Sequence, residues 1–144
     1  MKKSISKRII ITVVVIIIAL CLGFWFVSEY YKNVSNVKLN INESSVYSEV
    51  DILDAVSAIK KDFRKNFGSR SKLLKLSYDD TYNEFASDGV DKKYKQIIVI
   101  KSEFYYDSKD EGGLESSKTY TNYNWTLARE SDNDKWVVQD RGFC

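Results

Sequence analysis

The sequence predicts an α+β fold: an N-terminal transmembrane helix, then one small domain in which an amphipathic helix packs on an antiparallel sheet of about four strands. Three observations carry this. Residues 9–27 form an unbroken apolar run, residues 49–67 place apolar side chains at helical spacing, and the segments after Gly68 change to strand spacing.

The apolar run, IIITVVVIIIALCLGFWFV, holds nineteen uncharged residues. At about 1.5 Å per helical residue it covers roughly 28 Å, close to the thickness of a bilayer's hydrocarbon core. The flank before it, KKSISKR, is basic, and the flank after it carries one acid and one base. The positive-inside rule therefore expects a cytoplasmic N-terminus and a single pass, with the C-terminal domain on the extracellular side of the cell membrane. Phe24, Trp25, Phe26, Tyr30 and Tyr31 at the outer end suit an interfacial aromatic belt. A cleaved signal would end at small residues, and bulky Phe26 and Val27 stand there instead, so a retained signal-anchor is expected. Leu20 before Cys21 fills a position where lipidation wants a small residue, and Cys21 reads as a small apolar side chain in lipid.

The expected division is a basic cytoplasmic terminus over 1–8, the anchor over 9–27, a polar tether over 28–45 and the exterior domain over 46–144. All 20 acidic residues and 18 of the 22 basic ones follow the span, so the exterior part has a net charge near −2. That balance offers no basic footprint for nucleic acid. Cys144 has only the membrane-buried Cys21 as a partner in its own chain, so it is either a free thiol or a link between chains. With no His and no Cys cluster, no metal site and no cofactor are expected, and the commonest general base near neutral pH is missing.

The helix over 49–67 is expected from Ile52, Val56, Ile59, Phe63 and Phe67, which fall on one face. Ser48 with Asp51 reads as its N-terminal cap, acids crowd its first turn, bases its last, and Gly68 stops it. Residues 72–78 (KLLKLSY) read as a short strand and 79–93 as a long polar connection. Residues 94–106 form a strand whose centre, 97–100, is apolar on both faces. A loop over 107–117 with Gly112-Gly113 leads to a strand over 118–130, where Tyr123, Trp125 and Leu127 alternate with polar neighbours. The turn SDND (131–134) joins it to a last strand over 135–143, led by Trp136 and Val138.

In order and spacing, the helix, the strand ending Ser77-Tyr78-Asp79-Asp80, the strand IIVIKSEF, then YTNYNWTLARE and KWVVQDRGF resemble the small exported NTF2-like (cystatin-like) domains of Gram-positive bacteria. The resemblance covers about residues 47–143, and the ending Arg141-Gly142-Phe143 fits it. It implies a helix in the concave side of a curved sheet, leaving a cone-shaped hollow. That fold hosts enzymes, ligand carriers and assembly modules, so it does not decide function.

An enzyme on such a scaffold needs a desolvated acid in the hollow, for which Asp79, Asp80 and Glu103 are the candidates. A solvated turn explains the two aspartates and a solvent-facing strand position explains Glu103. No catalytic residue is therefore assigned. Arg129, in phase with Trp125 and Leu127, either reaches past the core edge or pairs inside with an acid. The expected function is non-catalytic: a membrane-anchored domain binding a partner protein, peptide or small ligand near the membrane face, with Tyr78, Tyr106, Tyr123, Trp125 and Arg129 as lining or rim. The alternatives are a structural component of an envelope or conjugation-type assembly, and a small hydrolase or isomerase using an acid in the hollow.

Overall fold

A computed structural model describes residues 2–85, 90–108 and 113–143. Gly112 and Cys144 lie outside them, as do residues 86–89 of the expected connection. The chain divides into two units, Met1–Lys32 and Asn33–Cys144.

The first unit is one helix, α1 (Lys2–Tyr31). Within Lys7–Ser28 the most apolar 18-residue window has a mean hydropathy of 3.1, and none of that window's residues is buried in the protein. The helix is long and apolar enough to cross a membrane, a property that an anchor and a signal sequence share. Thr12 Oγ1 donates to the Arg8 carbonyl at 2.9 Å, so the one hydroxyl in the run is satisfied within the helix.

The second unit comprises β1 (Lys38–Ile41), α2 (Glu49–Asn66), β2 (Lys72–Tyr78), a short 3-10 helix (Asp80–Phe85), β3 (Gln96–Tyr106), β4 (Lys118–Arg129) and β5 (Val137–Gly142). The five strands lie in the order β1-β2-β3-β4-β5. β1 runs parallel to β2, and every other pair is antiparallel. Two expectations are corrected here. The sheet is mixed and gains a fifth strand, and 28–45 is no tether: residues 28–31 continue α1, Asn33 and Val34 are buried, and 38–41 is β1. Val37, Leu39 and Ile41 carry the alternation of a strand, but four residues are too few to stand out among the polar neighbours.

Local chemistry sets the ends of α2. Ser48 accepts from the Asp51 N–H at 3.2 Å while Asp51 accepts from the Ser48 N–H at 3.3 Å, a reciprocal capping box. At the other end the Phe67 N–H donates to Phe63, and Gly68 follows at φ +77°, where a side chain would be strained. Ile52, Ala55, Val56, Ile59 and Phe63 are buried on the face turned to the sheet.

Bulges in β2 between Leu73 and Lys75 and in the β3–β4 ladder between Ser102 and Phe104 break the register. The second is made by two β4 residues, Thr121 and Asn122, opposite Glu103, and Asn122 takes φ +56° to complete it. Across it Tyr120 and Tyr123 both turn inward, although their spacing breaks strand alternation. Phe63, Phe67, Phe104, Tyr123 and Trp125 then fill the space between α2 and the sheet, with ring centroids 4.6 to 6.5 Å apart. Where the resemblance implies a hollow, these residues form a packed aromatic core. The centre of β3 is apolar on both faces for a local reason. The 3-10 helix lies against β3, and its Asn83 Oδ1 accepts from the Val99 N–H at 2.9 Å.

Candidate functional site

All five residues expected to line a site are buried, at no more than 7% exposure. The indole N–H of Trp125 donates to Ser102 Oγ at 2.8 Å, and Ser102 donates to the Tyr123 carbonyl at 3.2 Å, so a polar stitch holds the core together. Tyr106 packs edge-on against Phe67, with centroids 6.2 Å apart. These side chains pack within the domain's core.

Arg129 takes the second of its two sequence readings, paired inside with an acid. It is 5% exposed and reaches across from β4 to the first turn of α2, where its Nη2 lies 2.8 Å from Asp51 Oδ1. Nε donates to Gln96, Asp132 lies at 3.8 Å, and the guanidinium sits 4.4 Å from the Trp136 ring centroid. The Asp51 carboxyl is held below the usual carboxylate range, first by the Ser48 hydroxyl and then by Arg129. Tyr47 closes the group: its ring meets Trp136 edge-on at 5.4 Å and its hydroxyl donates to the Ile97 carbonyl at 2.8 Å. Burial is the main cause raising the Tyr47 hydroxyl's pKa.

Asp79 and Asp80 tie the end of β2 to the segment after β1. Asp79 accepts from the Thr81 N–H and hydroxyl and from Asn42, and these bonds, led by the Thr81 hydroxyl, lower its pKa. Asp80 accepts from the Ser44 hydroxyl at 2.6 Å, the Ser45 N–H at 2.8 Å and the Tyr78 hydroxyl at 2.8 Å. Those donors, Ser44 foremost, hold its pKa at about 2. Burial, followed by the bond to ionised Asp80, pushes Tyr78 up to about 12. Both aspartates are thus fixed as anions, opposite to the raised carboxyl that acid catalysis would use. Glu103 points away from the core, where its neighbour Phe104 is fully buried.

This stitching builds a feature that sequence reasoning missed. The held segment and the first turn of α2 enclose a groove of about 370 Å³, lined by Ile41, Asn42, Glu43, Ser44, Tyr47, Ser48, Glu49 and Ile52. Ile41 and Tyr47 supply apolar surface above the buried Ile52, and Glu43 and Glu49 put two carboxylates on it. Beside the groove runs β1, an outermost strand of the sheet. The Asn42 N–H donates to Tyr78, so by strand alternation the backbone groups of Leu39 and Ile41 face the open side. Leu39, Val46, Val50 and Leu53 are exposed large apolar residues around it. The only available signals were the alternation over 37–41 and the Glu-Ser-Ser-Val-Tyr run, which is too short and irregular to place before β1 is known. Compared with protein-family models, with curated proteins and with solved structures, the chain matches none of them.

Proposed function

We propose that the second unit is an NTF2-like peptide-binding module, held at the extracellular face of the membrane by α1 with the N-terminus in the cytoplasm. The basic flank KKSISKR supports the orientation, and α2 packed on one face of a sheet bent by bulges supports the family reading. β1 is the departure from the pattern expected, and it moves the working surface from the interior to the edge.

One observation carries the reading: an open strand edge lies beside a part-apolar groove bearing two glutamates. An extended peptide adding to β1 would pair with the outward backbone groups of Leu39 and Ile41. It would seat an apolar side chain against Ile41 and Tyr47, and set a Lys or Arg near Glu43 and Glu49. The partner chemistry is thus an extended apolar-basic segment of another protein.

The test uses the full chain in neutral detergent micelles, titrated with a synthetic peptide alternating apolar residues and Lys, against its Glu-for-Lys counterpart. Saturable amide shifts at Leu39 and Ile41 are expected for the basic peptide alone. Glu43→Lys/Glu49→Lys abolishes them, and Leu39→Pro, which removes an outward N–H while sparing those turned to β2, weakens them. Equal responses to both peptides, or shifts that survive the charge reversal, rule the reading out.

A further inference from the structure

The opposite face of the sheet carries a second concavity that shares no residue with the groove. It measures about 180 Å³, and Asn40, Lys75, Ser77, Lys101, Glu103 and Asn122 are among its lining residues. Two of the sheet's bulges adjoin it, one in β2 and one in β4, both beside Glu103.

The charges here are unusual for a sheet face. Lys75 is the register partner of Glu103, yet no ion pair forms, and Lys101 faces Ser77. Among the described residues neither lysine makes a salt bridge. Lys101 is nevertheless held in place, its Nζ 4.3 Å from the Tyr82 ring centroid. Lys38, partnered with Lys75 on β1, adds a third positive charge to the same face. The lining thus offers two ammonium groups, two side-chain amides and the hydroxyls of Ser77, Thr121, Tyr82 and Ser102 against the single carboxylate of Glu103, so donors outnumber acceptors.

We infer that this concavity binds a phosphate group, as a monoester or a diester. Lysines act as point charges that a tetrahedral oxyanion can meet from several directions, whereas a planar carboxylate is matched best by the guanidinium fork, which is missing from this lining. The volume equals roughly six waters at about 30 Å³ each, room for a phosphate with a small polyol attached. Glu103 opposes the anion and weakens the site. A soluble phosphate ester and a phospholipid headgroup present the same group.

The full chain in neutral detergent is titrated at matched ionic strength with inorganic phosphate, glycerol phosphate and short-chain phosphatidylglycerol, reading the amide shifts of Ser77, Lys101 and Asn122. Saturable binding is expected. Lys75→Gln/Lys101→Gln weakens it at least about tenfold, as loss of charged donors should. Glu103→Gln strengthens it several-fold, a gain that a poorly folded variant cannot mimic. Saturation by the soluble phosphates identifies a free ester as the source, and saturation by phosphatidylglycerol alone identifies a headgroup. No saturation with any of the three, or unchanged affinity in the double variant, overturns the assignment.

Discussion

Replacing Arg129 tests how the domain is held at the junction of sheet and helix. Removing one partner of a buried ion pair costs about 3–5 kcal/mol, because the other charge stays desolvated. Here the orphan would be Asp51, whose side chain is 28% exposed and still bonded to Ser48, so water and the cap relieve part of that cost. Arg129→Ala is therefore expected near the lower end, about 3 kcal/mol, with the lost cover of Trp136 included. Arg129→Met keeps the packed stem and should cost less, about 2 kcal/mol. Asp51→Asn leaves the guanidinium buried with only Gln96 and the more distant Asp132, and should cost a similar amount. In the double variant Arg129→Met/Asp51→Asn both charges are gone, so its cost should fall below the sum of the singles by about 1–2 kcal/mol. The assay is urea unfolding of the full chain in micelles, followed by tryptophan fluorescence in a Trp25→Phe background so that only Trp125 and Trp136 report. For m values of about 1–3 kcal/mol per molar, Arg129→Ala moves the midpoint by about 1–3 M. A cost below about 0.5 kcal/mol, the range of ordinary surface changes, or strict additivity in the cycle, would show that Arg129 does not work as a buried charge.

Acid should loosen the groove before it unfolds the core. The Asp80 carboxyl sits at about 2 in the folded chain, below an unfolded value near 3.9, so its contribution is fully present above pH 4 and is lost as the pH falls toward 2. The protection of the amides of residues 42–47, measured against their intrinsic exchange rates, should fall over that window in the native protein. In Asp80→Asn it should be low already and nearly independent of pH, and a parallel fall in that variant would assign the effect elsewhere. Gly68→Ala tests the helix stop: φ is +77° and the added Cβ would meet the Ser108 side chain at 3.4 Å, so about 1 kcal/mol of destabilisation is expected in the same urea assay. No loss there would mean that the turn relaxes to another conformation.

α2 could be read before any coordinate because every local signal agreed: the apolar stripe, the Ser48–Asp51 box and Gly68 at the end. The strands 72–78 and 118–129 were legible for the same reason, since each combines apolar alternation with polar loops at its ends. β1 was not legible. Its stability comes from pairing with β2, a contact across more than thirty residues of sequence that no short window reports. Tyr123 and Trp125 looked like binding residues because aromatic side chains at alternate positions suit either a core or an open platform. Phe63 and Phe67, on a separate element, decide between these by covering them. The inward turn of Tyr120 was likewise hidden, because the bulge at Thr121-Asn122 has no signature beyond an Asn that tolerates positive φ.

The aromatic core changes where function can reside. A ligand between α2 and the sheet would have to displace rings that fill the space, and emptying a core of this kind by even one large side chain costs several kcal/mol. The edge of β1 and the outer face around Lys75 and Lys101 require no such displacement, because their polar groups already meet solvent. A two-site arrangement also suits tethering. If α1 holds the second unit at a membrane, the effective concentration of anything on that surface is high, and two weak contacts on different faces can act together. A phosphate held by Lys75 and Lys101 and a peptide held at β1 would then reinforce each other only when both belong to the same surface. Cutting the chain between residues 32 and 33 should therefore leave each isolated affinity unchanged while weakening retention on vesicles that carry both ligands, which then rests on the two faces alone. If retention persists at full strength without α1, the two faces suffice by themselves and the anchor has another purpose.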